Sequence, residues 1–396
     1  MHIMALAAGI ACVWIVLLDA FQTMILPRRA TGRFRLTRLF YLATWRPWAF
    51  FAGRISSTRK RETAFSYYGP LSLVLLLVVW AGTMIAGFGL IYFAIGSPFR
   101  EAAMHAGFHT DLYISGTNIF TLGLGDVTPQ SAAARVLTIL ESGTGLAFLA
   151  MVMGYFPVLY SAFSRREVSI SLLDARAGSP PTAAELLSRH SYQGAEQSLA
   201  VLLIEWERWS AELLESHLSY ALLCYFRSQH SNQSWLSALT AILDTCSLLI
   251  SGVRGTETRQ AQLTFAMARH ALVDLAQIFS LEPVGNAPDR LPPERYQKLH
   301  AAICQSSVSV CGENLSIDRL RELRGLYEGY AEALSRYLFM PLPQWIVDHS
   351  EKDNWMTVAR LRARTESTNP PAVDEPARPG DLARTITATF DQHHDF

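Results

Sequence analysis

Residues 121–126 read Thr-Leu-Gly-Leu-Gly-Asp and lie between two apolar segments, each long enough to cross a bilayer as a helix. A hydrocarbon core about 30 Å thick takes roughly 20 apolar residues of helix. Leu71 to Ile95 supplies one such length, and residues 133–163 supply another. The stretch between them is too short to cross twice, so Asp111 to Pro129 has to enter and leave by the same face. Non-helical backbone at that depth is tolerated only inside protein or beside a water-filled cavity. The sequence therefore predicts an all-α membrane protein with a re-entrant helix and loop.

Composition agrees and divides the chain. Of 396 residues, 50% are hydrophobic and 17% charged, where water-soluble domains carry about a quarter charged residues. The apolar excess concentrates in the first 165 residues. A further span covers 3–26, with Asp19 as its single charge. No basic run precedes it and no small-residue cleavage site follows, so it reads as a retained anchor and not a signal peptide. The next segment carries Arg28, Arg29, Arg33, Arg35, Arg38, Arg46, Arg54, Arg59, Lys60 and Arg61, with no acidic residue among them. Under the positive-inside rule this segment is cytoplasmic, the N-terminus outside and the chain after Arg165-Arg166 cytoplasmic. Asp19 is expected to pair with the loop arginines. Phe34, Phe40, Tyr41, Trp45, Trp48, Phe50 and Phe51 suggest an amphipathic helix on the inner leaflet. A voltage sensor is the sharper reading of these arginines, but they follow a span in a polar segment instead of occupying a buried helix.

The re-entrant stretch suits a dehydrated cation. Such an ion needs oxygens in place of its water shell, and backbone carbonyls from several chains around one axis can supply them. Aiming successive carbonyls one way requires alternate left-handed residues, which glycine adopts without penalty. Gly123 and Gly125 provide that alternation, and Thr121 adds a hydroxyl. The ten residues before Thr121 form a short helix whose negative C-terminal end favours cations. Asp126 either attracts cations at the outer mouth or braces the loop from behind.

Thr-x-Gly-x-Gly-Asp followed by Val127-Thr128-Pro129 resembles the signature of potassium channels, usually Thr-Val-Gly-Tyr-Gly-Asp. Helix, re-entrant helix, filter and helix over about 70–165 resemble that family's two-helix pore module. The resemblance implies potassium as the permeant ion, no cofactor and no enzymatic activity. It places ion sites at the carbonyls of Thr121, Leu122, Gly123 and Leu124 and at the Thr121 hydroxyl, with Gly125 completing the filter. One module per chain implies a homotetramer. Leu122 replaces valine, Phe120 a threonine, and Leu124 the tyrosine whose hydroxyl ties the filter to the pore helix. Some relatives with two modules per chain carry Gly-Leu-Gly. Two alternatives stay open: a non-selective cation channel of the same fold, and a membrane-anchored scaffold or sensor with a degenerate pore.

The third span would line the pore. It contains Gly143, Gly145, Gly154 and Pro157, and proline deletes a helical hydrogen bond and permits a kink. Gly154 with Pro157 is the expected gate, with Gly145 a further hinge candidate. Glu141 lies in the outer half of this span. An intramembrane carboxylate is costly and is usually paired or functional, so Glu141 is expected to brace the pore helix through Thr117 or Asn118. His105 and His109, four apart on the external segment, suggest a metal or proton sensor only thinly.

The predicted divisions are an N-terminal helix at 1–27, a basic segment at 28–69, a pore domain at 70–165, a helical cytoplasmic domain at 166–350 and a disordered tail at 351–396. Residues 235–250 are apolar enough to suggest a fourth span, but Asp244, the serines and the short length favour a buried core helix. The sequence contains no glycine-rich nucleotide motif and no Cys/His metal pattern. Cys12, Cys224, Cys246, Cys304 and Cys311 read as reduced thiols. A neutral net charge argues against nucleic acid as partner. The expected partners are lipid, other copies of the chain and an unidentified cytoplasmic regulator.

Overall fold

The computed structural model describes residues 2–26, 35–101, 107–190, 195–229, 232–252, 258–305 and 316–347. Arg28, Arg29, Arg33, Phe34, His105, Cys311 and the expected tail lie outside them. Among the described residues, three helices are long and apolar enough to cross a membrane: α1 (His2–Met24), α3 (Thr58–Ala94) and α5 (Ala132–Ala177). Between α1 and α3 lies α2 (Leu36–Gly53); between α3 and α5 lie β1 (Phe99–Glu101), α4 (Phe108–Ile119) and β2 (Val127–Pro129). The protein is an all-α membrane protein with an attached helical domain.

α1 packs along α3, and glycines let the two backbones approach: a Cβ on Gly9 would lie 2.5 Å from the Gly87 carbonyl. Asp19 forms the expected ion pair with a loop arginine, Arg35, and has nearer partners besides. Its carboxylate accepts from the Thr37 amide (2.9 Å), the Thr37 hydroxyl (2.5 Å) and the Trp80 indole (3.0 Å), while Arg35 stands 3.8 Å away. Thr37 is the second residue of α2, so Asp19 caps that helix from a neighbouring one and answers a free amide there. The arginine is secondary.

α2 also differs from the expected surface helix. Phe50 and Phe51 are exposed, but Phe40, Trp45, Ala49 and Ala52 are buried in protein. The Trp45 ring meets Tyr68 of α3 edge-on and Tyr225 of the helical domain at a tilt, 4.8 and 4.9 Å between centroids, and its indole donates to the Tyr337 carbonyl at 3.1 Å. α3 starts thirteen residues before the expected Leu71, which puts Arg59, Lys60 and Arg61 on its first turns. α5 is also longer than expected. Its 46 residues run unbroken through Pro157 and through the division drawn at Arg166.

The helical domain comprises α6 (Ala183–Arg189), α7 (Ala195–Ser219), a 3-10 turn (Ala221–Tyr225), α8 (Trp235–Ile250), α9 (Thr258–Ile278), α10 (Pro293–Gln305), α11 (Ile317–Gly325) and α12 (Glu328–Leu338). α8, the stretch that tempted a fourth span, is the centre of this domain: every residue except Ile250 is buried. Its polar residues are satisfied there. Thr240, Thr245 and Ser247 donate to carbonyls four residues back at 2.7–2.8 Å. Asp244 accepts two bonds from Arg290 (3.1 and 2.5 Å) and one from Tyr327 (2.6 Å). Cys12, Cys224 and Cys246 are free. Cys304 departs from the expectation of reduced thiols, because it is disulfide-bonded.

Candidate ion pathway

The filter segment is held at both ends before any side chain is considered. β1 and β2 pair antiparallel, with Phe99 opposite Pro129 and Glu101 opposite Val127. They close the chain into a loop that contains α4 and residues 120–126. α4 starts at Phe108, three residues before the expected Asp111, so His109 belongs to its first turn. Asp111 is buried there and accepts from Ser97 at 2.6 Å, and a carboxylate at a helix N-terminus also suits the dipole. At the other end, the Thr121 and Leu122 amides turn back onto the Asn118 and Thr117 carbonyls at 3.0 and 2.8 Å. Residues 121 and 122 therefore form the C-terminal cap of α4.

From that cap, left-handed backbone recurs at every second residue: φ is +55° at Thr121, +55° at Gly123 and +79° at Gly125. Glycine accounts for two of the three. Thr121 is the third, and a non-glycine residue in that region stores strain of roughly 1–3 kcal/mol. Sequence reasoning assigned Thr121 its hydroxyl and missed its backbone. Residues 121–126 are all exposed on the single chain, with Leu122 and Leu124 about three-fifths exposed (61% and 62%). Among the described residues, none covers this segment.

The bracing contacts converge from behind. Asp126 accepts from the Tyr113 hydroxyl of α4 at 2.7 Å and from the Val127 amide at 3.1 Å, which ties the far end of the 121–126 segment to α4. Glu141 of α5 is fully buried and accepts from Ser115 (2.5 Å) and Asn118 (3.0 Å) of α4 and from Tyr92 (2.7 Å) of α3. Asn118 was one of the two partners expected. Thr117 instead bonds the Ile114 carbonyl of its own helix at 2.9 Å. Tyr92, Ser115 and Tyr113 were missed, because nothing in their local spacing sets them apart from ordinary helix residues.

The inner-helix glycines separate by position. A Cβ on Gly145 would sit 2.2 Å from the Ile119 carbonyl, so this glycine lets α5 pass against the end of α4. It lies at the pore-helix base, away from Gly154 and Pro157. Gly143 and Gly154 have nothing within 4 Å of an added Cβ. Among the described residues no group of His, Cys, Asp or Glu could hold a metal ion.

Comparison with known proteins fits this geometry. Residues 74–161, which run from α3 through the filter into α5, match the family model described as "Ion channel". The chain belongs to an ion channel family. It is 24% identical over 281 residues to the uncharacterized membrane protein YdjJ of Bacillus subtilis (strain 168), a match covering 68% of this chain and 79% of that protein. It is 30% identical over 111 residues to Protein LctB of Geobacillus stearothermophilus, covering 26% of this chain and 82% of that protein. The first of these likenesses is longer than the pore module, so it takes in part of the channel outside residues 74–161. No solved structure matches the chain.

The Glu141 contacts make one prediction. Glu141→Leu removes both acceptor oxygens and leaves the buried Asn118 amide without the partner it has at 3.0 Å. Thermal unfolding of the detergent-purified channel should show a loss of about 1–3 kcal/mol. A variant as stable as the parent would mean that the carboxylate does not hold the pore helix.

Proposed function

We propose that the protein is a passive, potassium-selective channel subunit and that four copies surround one pore. The observation that supports this most is the alternation of left-handed residues at Thr121, Gly123 and Gly125, which turns successive carbonyls to one side. Carbonyls of Thr121, Leu122, Gly123 and Leu124, with the Thr121 hydroxyl, replace the hydration shell of K⁺, and Gly125 ends the row. The C-terminal dipole of α4 favours the cation. Asp126 and Glu141 keep the loop from collapsing or widening. The other copies cover the exposed filter and the exposed face of α5 (Leu146, Leu149, Met153).

In this reading the channel sits in a bacterial inner membrane with the N-terminus outside. The arginines of the segment between α1 and α3 hold that side in the cytoplasm. Lipid surrounds α1 and α3, and the helical domain faces the cytoplasm, where it offers a surface to a regulator. Gly154 and Pro157 form the gate, because Pro157 removes a helical bond in the cytoplasmic half of α5. A second reading, a non-selective cation channel, draws support from Leu124, which has no hydroxyl with which to tie the filter to the pore helix.

Purified protein in planar bilayers under opposed K⁺ and Na⁺ gradients separates these readings. The expected reversal potential follows the potassium gradient, close to about 59 mV per tenfold ratio. Reversal near zero would replace this proposal with the non-selective one, and absence of current in every condition would remove both. The same recordings test the gate: Pro157→Ala is expected to change open probability several-fold, and an unchanged value would place the gate elsewhere.

A further inference from the structure

α5 does not end where it leaves the apolar stretch. Arg166, one turn beyond Ala162, has a side chain only 2% exposed and sits inside the helical domain. A buried guanidinium is costly unless every donor finds an acceptor. Here the acceptors are found. Nε donates to Glu167 at 2.9 Å, one terminal nitrogen reaches the Leu223 carbonyl (2.9 Å) and His217 Nε2 (3.1 Å), and the other reaches the Phe226 carbonyl (2.9 Å). The Arg166 carbonyl in turn faces the Trp209 indole at 3.4 Å. The Phe226 ring lies against Phe163 of α5 (5.6 Å between centroids) and within 2.7 Å of where a Cβ on Gly69 of α3 would sit. One junction thus fastens both membrane helices of the pore module to the helical domain.

We propose that Arg166 and His217 form an acid-releasable latch, through which protonation on the helical-domain side changes how the end of α5 is held and so changes channel gating. The proposal rests on α5 being the pore-lining helix. Arginine has no acceptor, so the contact requires an unprotonated Nε2. Protonation turns that nitrogen into a donor and sets a second cation against Arg166. The groups that face His217 offer one anion and no spare acceptor for the new charge. From α5 come Arg166 and, bonded to it, Glu167. From α8 comes the Trp235 ring at 5.6 Å. From its own helix come the Ser216 hydroxyl, 3.1 Å from Nδ1, and the Leu213 carbonyl. The Cys224 thiol beside Arg166 is itself held neutral by burial.

Burial, and then the Arg166 charge, push the His217 pKa well below its ordinary value. The sign follows. A histidine kept neutral in the latched state and titrating at about 6.5 when released stabilises the latch fully above about pH 6.5 and progressively less below it. Each further pH unit favours release about tenfold per subunit until the latched pKa is reached.

The test uses the full-length channel in planar bilayers with the bath on the helical-domain side stepped from about pH 7.5 to about pH 5.5, a span chosen around the ordinary histidine pKa. Wild type is expected to change open probability at least several-fold, and His217→Gln, whose amide oxygen keeps an untitratable acceptor for Arg166, is expected to change little. An open probability independent of pH in the wild type, or an equal response in both proteins, overturns the latch. If neither protein carries current, the channel reading fails, and thermal unfolding followed by circular dichroism over the same pH steps decides the latch separately. A larger acid-induced fall in melting temperature for wild type than for His217→Gln retains it, and equal falls discard it.

Discussion

The Glu141 carboxylate receives three side-chain donors, and the rest of the pore module is arranged around that fact. Tyr92 comes from α3, Ser115 and Asn118 from α4, and the acceptor from α5. An ionisable group at this depth is tolerable only when its hydrogen bonds are made inside the protein. Making them fixes α3, α4 and α5 at one point. With α4 held there, the amides of Thr121 and Leu122 cap its last turn, and the left-handed sequence starts from a defined direction. Gly145 completes the site by letting α5 approach the last turn of α4 closely.

A second constraint is the continuity of α5. Its 46 residues extend roughly 70 Å at 1.5 Å per residue, well over twice the hydrocarbon thickness. The same rigid element carries Glu141 near one end and Arg166 toward the other. Both are buried polar groups whose partners sit on other elements, so each end is anchored by geometry that apolar packing alone would not specify. The Arg166 junction therefore joins the helical domain to the same helix that carries Glu141, with Gly154 and Pro157 between the two anchors.

The features legible in the sequence were those with a local signature. Three apolar runs marked the three long apolar helices, Gly123 and Gly125 marked the left-handed alternation, and the short length and Asp244 of α8 marked it as a core helix. The features that escaped depend on partners distant in sequence. Tyr92 meets Glu141 across 49 positions and Arg166 meets His217 across 51. Hydropathy counts Arg166 as a flanking charge at a span's end, because it cannot show that His217 and the Leu223 and Phe226 carbonyls accept from it inside the helical domain. The α2 aromatics were read as facing lipid for the same reason: Tyr225 and Tyr337, which cover Trp45, lie far along the chain. Thr121 was hidden differently. Its left-handed backbone begins the alternation that Gly123 and Gly125 continue, while its side-chain type argues against such angles.

The most direct measurement is a cryo-electron-microscopy reconstruction of the full chain in lipid nanodiscs prepared in potassium and, separately, in sodium. Four copies should surround an axis lined by the carbonyls of Thr121 to Leu124, with ion density between successive rings in potassium. A reconstruction in which the 121–126 segments do not face one another across a common axis would contradict the reading of this loop as an ion filter.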